Sequence, residues 1–322
     1  MRVGVVGAGG IAAPHLAAWR ELDVEVGVFS LDDASELAGA HGAEVLPSLE
    51  ALLEHCDVVD VCTPTFAHRE IVLAAAAAGR HVICEKPLSL RRDEAVEMID
   101  ACEAAGVQLH PGQVVRFFPE YVAAKQAVDA GRIGSPAVLR FSRRGARPVR
   151  EWFARPELSG GIIVDQMIHD IDFARWVAGD VEQVIARVVG KAPGPTLGIA
   201  VLTHASGALS HLVGGWGHAD ERFRTEFSLA GSTGLVRHSS ADVGSLRWTI
   251  PGAAATGGEL LPAAALGTSP FVAELDEFLR ACAGGPPPRV SAHDSLVALE
   301  VALAATESAR TGRPVLVKEV AA

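Results

Sequence analysis

Short apolar runs rich in β-branched residues alternate with longer alanine-rich and leucine-rich stretches through the first third of the chain. The runs predict strands at Val3–Val6, Val24–Phe29, Val58–Cys62, His81–Cys84 and Val107–His110. The stretches between them predict helices at Ile11–Leu22, Ala34–Ala40, Ala67–Ala78 and Asp93–Ala105. Because buried strands connected by crossover helices pair in parallel, the pattern predicts an α/β domain with a doubly wound sheet of the Rossmann type.

After about Pro119 the pattern changes, and strands follow one another across short turns. Helices are predicted at Glu120–Ala130 and Ile163–Val177, and two more, Phe271–Ala283 and Ala292–Ala309, close the chain. The predicted strands are Ala137–Ser142, Val184–Val189, Gly198–Thr203, Ala208–Val213, Phe223–Ala230, Leu235–His238 and Leu246–Ile250. Successive strands joined by short turns pair antiparallel, so an α+β domain with a mostly antiparallel sheet is predicted.

The change of pattern sets the expected domain boundary. A length of 322 residues suits two domains, a Rossmann dinucleotide-binding domain at 1–118 and a substrate-binding and oligomerisation domain at 119–322. The C-terminal helices are able to pack back on the first domain. Before them lies the alanine- and glycine-rich segment Gly252–Gly267, which is predicted to be a loop.

Composition and charge exclude several classes of function. With 49% hydrophobic and 21% charged residues the chain is predicted to be globular, and no uninterrupted apolar run is long enough to span a bilayer. A net charge of -11 without a basic patch argues against nucleic-acid binding. The N-terminal residues lack the apolar stretch of a signal peptide, and the five cysteines show no Cys-x-x-Cys pair. We therefore expect a cytoplasmic protein with reduced cysteines.

A glycine motif follows the first predicted strand. Gly7, Gly9, Gly10, Ile11 and Ala12 form Gly-x-Gly-x-x-Ala at the start of a helix. The first glycine permits the tight turn, the second lets the backbone approach a pyrophosphate, and the small last residue lets helix and strand pack closely. Amides at the helix N-terminus then face the anion, so the segment predicts dinucleotide binding.

The end of the second strand bears on the choice between NAD and NADP. An acid there binds the ribose 2′-hydroxyl of NAD, whereas an arginine nearby holds the 2′-phosphate of NADP. This chain has Ser30 at that position, with Asp32 and Asp33 close behind, and no arginine between Ser30 and Arg69. The choice between NAD and NADP stays open, and the pattern favours NAD.

A second candidate segment ends the strand at His81–Cys84 with Glu85, Lys86 and Pro87. Ligands of open α/β sheets bind beyond the carboxyl ends of the strands, which places Glu85 and Lys86 at the expected crevice. A partly buried lysine can donate a hydrogen bond to a substrate hydroxyl. A surface ion pair between the two side chains is the structural alternative.

A third candidate lies in the predicted helix at Ile163–Val177. Asp165, His169 and Asp172 are spaced i, i+4 and i+7, so they share one helical face. A carboxylate one turn from a histidine can orient the ring of a general base. A core histidine and a metal site are the alternatives, but one histidine without a nearby cysteine is a poor zinc site, and no metal is predicted.

Several segments together resemble the glucose–fructose oxidoreductase/inositol dehydrogenase (Gfo/Idh/MocA) family over nearly the whole chain. They are Gly7–Ala12, Thr63-Pro64-Thr65 with His68, Glu85-Lys86-Pro87-Leu88, Gly161-x-x-x-Asp165-x-x-x-His169-x-x-Asp172, Arg116–Tyr121, Gly131–Gly134 and Glu307–Gly312. The resemblance implies hydride transfer between a sugar or polyol carbon and a nicotinamide. It also implies an open-faced sheet in the second domain, through which such proteins form homodimers or homotetramers.

The resemblance assigns roles residue by residue. It implies that Lys86 is the active-site lysine, His169 the acid/base, Asp165 the carboxylate that positions them and Asp172 a substrate-binding acid. The residues that it places along the cofactor cleft, besides Lys86 and the glycine loop, are Ser30, Thr63, Pro64, His68 and Glu85. Ser30 departs from members with an acid at that position, which leaves the cofactor choice open.

Two other functions stay open on the same scaffold: a non-enzymatic nicotinamide-binding regulator, and an enzyme for NAD-dependent glycoside cleavage or imine reduction. The set of Lys86, Asp165 and His169 argues against the regulator. One further motif, Tyr121-x-x-x-Lys125, has the spacing of the active pair of short-chain dehydrogenases. It lies at the expected domain junction, where packing of one helical turn is the better explanation.

Overall fold

The computed structural model describes residues 1–190, 194–241, 246–249 and 268–318. The chain forms two compact units, one of Met1–Phe117 with Thr268–Leu296, the other of Phe118–Gly267 with Val297–Ala322. Residues 268–296 therefore group with the first unit. The predicted boundary at 118/119 places them in the second domain, with the provision that the C-terminal helices pack back on the first. The predicted loop Gly252–Gly267 lies outside the described residues, as does Ile250, the last residue of a predicted strand.

The first unit contains a six-stranded parallel sheet. Its strands are β1 (Val3–Val6), β2 (Val26–Phe29), β3 (Glu44–Val45), β4 (Val58–Val61), β5 (His81–Glu85) and β6 (Leu109–Gly112). Their order across the sheet is β3-β2-β1-β4-β5-β6, and each described pair is parallel. This order reverses direction between β1 and β4, which is the switch point of a Rossmann sheet, so the predicted fold is confirmed.

Helices connect these strands and continue through the rest of the chain. They are α1 (Ala12–Glu21), α2 (Ser35–His41), α3 (Leu49–His55), α4 (His68–Ala77), α5 (Arg92–Ala104), α6 (Pro119–Asp129), α7 (Pro156–Ser159), α8 (Ile168–Ala178), α9 (Pro270–Cys282) and α10 (Ala292–Thr311). In the first unit α1 packs against α9, and the core between them includes Leu16, Trp19, Leu275 and Phe278. No helix of the described residues is both long enough and apolar enough to cross a membrane.

The second unit contains an eight-stranded, mostly antiparallel sheet, as the strand pattern predicts. Its strands are β7 (Pro136–Ala146), β8 (Val181–Gly190), β9 (Thr196–His204), β10 (Leu209–Gly217), β11 (Arg224–Gly231), β12 (Leu235–Ser239), β13 (Leu246–Thr249) and β14 (Val315–Leu316). Their order is β13-β12-β11-β7-β10-β9-β8-β14, with β7 and β10 parallel and the other described pairs antiparallel. Buried and exposed residues alternate along β7 and β9, so one face of the sheet is covered and the other is open.

Candidate functional site

The glycine loop has the backbone that its motif requires. Gly7 has a φ of 107°, and a Cβ built there would lie 2.8 Å from the carbonyl oxygen of Cys62. A larger residue would clash with the end of β4, so only glycine fits the turn. Nothing lies within 4 Å of the equivalent position on Gly10, which leaves its backbone open to a ligand.

The start of α1 can receive an anion. Its N-cap residue, Ile11, makes no side-chain capping hydrogen bond. The hydroxyl of Thr63, whose methyl group lies 3.1 Å from a Cβ built on Gly7, is buried and has no hydrogen-bond partner among the described residues. Backbone amides of a helix N-terminus and a hydroxyl donor are groups that bind a pyrophosphate. The loop therefore fits the dinucleotide that its sequence predicts.

Ser30 and Asp33 accept hydrogen bonds from different backbone amides. The Ser30 hydroxyl at the end of β2 accepts a hydrogen bond from the backbone amide of Asp32 at 3.2 Å. The carboxylate of Asp33 accepts from the amide of Ser35, the first residue of α2, at 2.9 Å. Hydrogen bonds from Ser35 lower the pKa of Asp33, so that carboxylate is ionised and engaged by the helix start. Whether Ser30 and these acids select NAD over NADP stays a prediction.

The turn after β5 is held by the side chain of Glu85. The backbone amide of Lys86 donates to Oε2 of Glu85 at 3.0 Å, and the peptide bond between Lys86 and Pro87 is cis. Glu85 is buried, whereas Lys86 is half-buried at the carboxyl end of the strand. A direct contact between Glu85 and a cofactor stays a prediction, since both of its carboxylate oxygens have hydrogen bonds within the protein.

His68 joins two of the strand ends. It is buried at the start of α4, where Nδ1 lies 3.0 Å from the carbonyl oxygen of Pro87 and Nε2 lies 3.0 Å from that of Thr63. Burial lowers the pKa of His68. The ring thus ties the turn after β4 to the turn after β5, and this is a structural position within the predicted cofactor cleft.

A buried polar cluster beneath the same turns was missed by the sequence reasoning. His15 of α1 is fully buried and lies with Nδ1 2.9 and 3.1 Å from the two carboxylate oxygens of Asp60, and with Nε2 3.2 Å from Oε1 of Glu85. Trp19 Nε1 donates to Asp60 at 2.8 Å. The available signal was an acid inside the apolar run of β4, because a charged residue on a buried central strand needs a partner.

In the second unit the segment before α8 departs from the predicted helix. Residues Ile163–Met167 form a π-helical turn, and α8 follows it from Ile168. The side chain of Met167 lies against glycines of two strands, since a Cβ on Gly214 would be 2.5 Å from its Cγ and a Cβ on Gly198 2.7 Å from its sulfur. The wider turn seats this side chain on the sheet, and π turns of this kind are frequent at functional sites.

The three acid/base candidates of this segment differ in exposure. Asp165 and His169 are half-buried, whereas Asp172 is buried at 1% exposure. The i, i+4, i+7 spacing predicts that all three side chains share one face of the helix. Of the three, only Asp165 and His169 are accessible to solvent. The roles of all three stay predictions.

The Tyr121-x-x-x-Lys125 pair is part of the packing of the second unit. Tyr121 is buried among aromatic rings, including Phe173 at 4.8 Å and Phe227 at 5.0 Å between centroids, and burial raises its pKa to about 12. Lys125 forms an ion pair with Asp129 on the same helix. A buried phenol with a raised pKa is a poor acid/base, which agrees with the packing interpretation.

The structure thus groups the candidates by unit. In the first unit the carboxyl ends of adjacent parallel strands carry the cofactor candidates: Gly7, Gly9, Gly10, Ile11, Ser30, Thr63, Pro64, His68, Glu85 and Lys86. In the second unit Asp165 and His169 lie one turn apart beside the sheet. Sequence reasoning found these positions from motifs and missed His15 and Asp60.

Family models match most of the chain. Residues 1–113 match the model described as "Oxidoreductase family, NAD-binding Rossmann fold", and residues 121–237 match the GFO/IDH/MocA C-terminal domain. The chain is 32% identical to myo-inositol 2-dehydrogenase of Thermotoga maritima, over 99% of this chain and 99% of that protein. It is also 32% identical to D-apiose dehydrogenase of Paraburkholderia graminis, over 99% and 90% of the two chains.

A solved structure extends the similarity to three dimensions. The WlbA dehydrogenase of Bordetella pertussis, solved in complex with NADH and UDP-GlcNAcA, is 25% identical with a TM-score of 0.86. The match covers 98% of this chain and 97% of that one. Both units of the chain therefore have counterparts in the same known protein.

Proposed function

Because the chain belongs to the Gfo/Idh/MocA family of oxidoreductases, we propose that it transfers a hydride between a secondary hydroxyl carbon of a sugar or inositol-like polyol and NAD. The observation that carries the proposal is the 32% identity to a myo-inositol 2-dehydrogenase over 99% of both chains. The open glycine loop at the start of α1 supports a dinucleotide cofactor in the first unit.

The cofactor would be held by the glycine loop, with Ser30 at its ribose end and Thr63 beside the loop. When bound, NAD supplies the acceptor for the hydride that leaves the alcohol carbon. The protein supplies the rest: it binds the cofactor, orients the alcohol and removes the hydroxyl proton.

The proton steps belong to three side chains in this proposal. Oxidising a secondary alcohol removes a hydride from carbon and a proton from oxygen, so a base is needed as the C=O bond forms. His169 accepts that proton, and Asp165 one turn earlier orients its ring. Lys86, half-buried at the end of β5, donates a hydrogen bond to the reacting oxygen. Asp172 is proposed to contribute to substrate binding, although it is buried.

A substrate panel tests the proposal. Inositol isomers, aldoses and anhydrosugars are mixed with the protein and with NAD or NADP, and reduced nicotinamide is followed by its absorbance. We expect at least one compound to support sustained turnover with NAD. Binding of NADH without turnover of any compound would favour a nicotinamide-binding regulator instead.

A matched pair of lysine variants tests whether the turnover depends on Lys86. Lys86→Met should lower turnover of the active compound by a factor of about 10²–10⁴. Lys125→Met removes a lysine of the second unit that pairs with Asp129, and should leave turnover near the wild-type value. Equal losses in both variants would contradict the role of Lys86.

A self-association surface is also proposed on the open face of the second sheet. Apolar side chains on this face include Ile185, Ile199 and Leu209, which are 40%, 37% and 44% exposed. Exposed apolar side chains on the open face of a sheet often mark a contact with a partner. We propose that a second copy of the chain covers it, giving a homodimer or homotetramer.

A further inference from the structure

The buried cluster around His15 imposes a protonation state. Both ring nitrogens of His15 face carboxylate oxygens, those of Asp60 on one side and that of Glu85 on the other. An ionised carboxylate only accepts hydrogen bonds, and a neutral imidazole has a single N–H donor. A neutral His15 would therefore point a lone pair at a buried carboxylate. Burial is the largest single influence and lowers the pKa of His15, but the charges and hydrogen bonds around the ring, those of Asp60 first, together raise that pKa well above its ordinary value.

The charges around the ring are compatible with one buried cation. Asp60 comes from β4 and Glu85 from β5, and both bond to the ring. Cys62 lies 3.6 Å from Asp60, and burial raises its pKa to about 12, so it is a neutral thiol. Glu274 of α9 is fully buried without a hydrogen-bond partner among the described residues, and burial followed by the charge of Glu85 raises its pKa well above its ordinary value. Glu274 is therefore a neutral acid, and two carboxylates share one histidinium.

The cluster reaches the proposed catalytic lysine through a single side chain. Glu85 accepts from His15 with Oε1 and from the backbone amide of Lys86 with Oε2, so its carboxylate is fixed from both sides. His15 itself lies on α1, the helix that begins at the glycine loop. A hydrogen-bonded chain thus runs from the phosphate-binding helix to the backbone of Lys86 within the first unit.

We propose that His15 is a positioning residue, a buried histidinium that bridges Asp60 and Glu85 and so fixes the turn that presents Lys86 to the substrate. This inference rests on the proposed function of Lys86. It adds to that function a group that touches neither substrate nor cofactor and acts through Glu85.

A metal ion is the competing explanation of the cluster. His15, Asp60 and Cys62 each place a potential ligand atom within 4.8 Å of the others. However, Trp19 Nε1 already donates to Asp60, and His15 Nδ1 lies 2.9 Å from the same carboxylate, so a proton on Nδ1 satisfies that contact without a metal. The positioning proposal requires that the protein keep its activity and melting temperature after dialysis against a chelator, and loss of either would overturn it.

The protonation state is measured by nuclear magnetic resonance of the protein labelled with ¹⁵N in its twelve histidines. The His15→Gln variant identifies the His15 signals by their absence. At about pH 8 an ordinary histidine, with a pKa of about 6.5, is neutral. We expect His15 to keep the ring ¹⁵N shifts of a doubly protonated imidazolium at that pH. Shifts of a neutral tautomer would overturn the proposal, and this measurement needs no substrate.

Two variants separate positioning from charge neutralisation. His15→Gln leaves Asp60 and Glu85 as buried carboxylates without a cation, so it should lower both thermal stability and turnover. His15→Gln/Asp60→Asn removes one of those charges and should recover most of the stability. It should still turn over about 10²-fold more slowly than wild type, since misplacing a reacting group by about 1 Å costs that much. The dissociation constant of NADH should change by less than about tenfold, equivalent to ~1.4 kcal/mol.

The outcomes are distinguishable from failure of the proposed function. Turnover that recovers together with stability in the double variant would show that His15 only neutralises charge, and would overturn the positioning role. Absence of turnover in the wild-type protein would overturn the proposed function. The resonance measurement would then still decide whether His15 is a histidinium, and a neutral ring would reject the inference on its own.

Discussion

At the scale of single residues, the proposed reaction depends on Lys86 and His169, which act on the hydroxyl group of the substrate. Replacing His169 with alanine removes the proposed base, so turnover should fall by a factor of about 10²–10⁴ while NADH affinity stays nearly unchanged. The double variant with Lys86→Ala should lose less than the product of the two single losses, because both side chains act on one proton transfer. Steady-state kinetics and a fluorescence titration of NADH measure the two quantities.

Tyr121→Phe is the control for this pair. The phenol is buried in the aromatic core of the second unit, so losing its hydroxyl should hardly change turnover. If Tyr121→Phe abolished activity and His169→Ala did not, the assignment would be wrong, and the pair Tyr121 and Lys125 would be the active one.

Ser30 is the residue on which cofactor choice is expected to depend. The wild-type protein should bind NADH more tightly than NADPH, because no arginine follows Ser30 before Arg69. Ser30→Asp should enlarge that preference by about tenfold, since a charged acceptor for the ribose 2′-hydroxyl contributes ~1.5 kcal/mol and repels a 2′-phosphate. Calorimetric titration of both cofactors measures it.

Ser48→Asp is the matched control for that substitution. Ser48 caps α3 by accepting from the amide of Ala51, a place where aspartate is equally suitable. It adds the same charge at the start of α3 and not at the end of β2, so it should change the cofactor preference less than Ser30→Asp does. Tighter binding of NADPH than NADH by the wild-type protein would contradict the expectation from Ser30.

Motif residues could be predicted from the sequence, whereas the residues that support them could not. The glycine loop and the Glu85-Lys86-Pro87 turn have fixed spacing along the chain, and the structure places them at adjacent strand ends. In the buried cluster, His15 contacts Asp60, which is 45 residues away in the sequence, and Glu85, which is 70 residues away. Only the order of strands in the sheet brings them together, and a single sequence does not specify such a pairing.

At the scale of elements, the π turn before α8 is the feature that the helical pattern did not predict. A period of 3.6 residues fits Ile163–Val177 throughout, but the shape of Met167 against Gly198 and Gly214 decides the local geometry. The short strand β3 and the helix α3 were also missed. β3 has two exposed residues, Glu44 and Val45, so it carries no apolar pattern.

Gly214→Ala tests the packing of that turn. The added methyl group would lie 2.5 Å from Cγ of Met167, so the segment that carries Asp165 and His169 must shift. We expect a loss of about 1–3 kcal/mol in the free energy of unfolding, as for other overpacked cores, together with a lower turnover. Urea denaturation and steady-state kinetics measure the two effects.

Gly39→Ala provides the control for the same substitution. Gly39 lies inside α2, and nothing is within 4 Å of its built Cβ. There alanine should stabilise the protein by up to about 1 kcal/mol, because alanine is the better helix former. If Gly214→Ala were as well tolerated as Gly39→Ala, the close approach of Met167 to the sheet would not matter for the site.

At the scale of the whole molecule, the fold class followed from the change of strand pattern near Pro119, whereas the sequence left open whether α9 groups with the first unit. The amphipathic pattern of α9 shows that one face of the helix is buried. It does not show which element packs against that face. The contacts of α9 with α1 settle that point through the core around Trp19 and Phe278.

The open face of the second sheet gives the prediction at this scale. Light scattering should report a mass of two or four chains. Ile199→Glu puts a charge on β9, between β8 and β10, and should shift the mass toward one chain. Glu226→Gln, at an exposed position of β11, serves as the control on the same sheet. A single-chain mass for the wild-type protein over a wide concentration range would contradict self-association.

In the proposed reaction this protein moves a hydride from a carbinol carbon to a nicotinamide. The most direct measurement uses the compound of the panel with the fastest turnover, deuterated at its carbinol carbons, and follows the label by mass spectrometry of the nicotinamide product. We expect one deuterium in each reduced nicotinamide. No deuterium should appear there when the label is on the hydroxyl oxygen instead of the carbon. Reduced nicotinamide without the carbon-derived deuterium, or no reduction by any polyol or sugar, would contradict it.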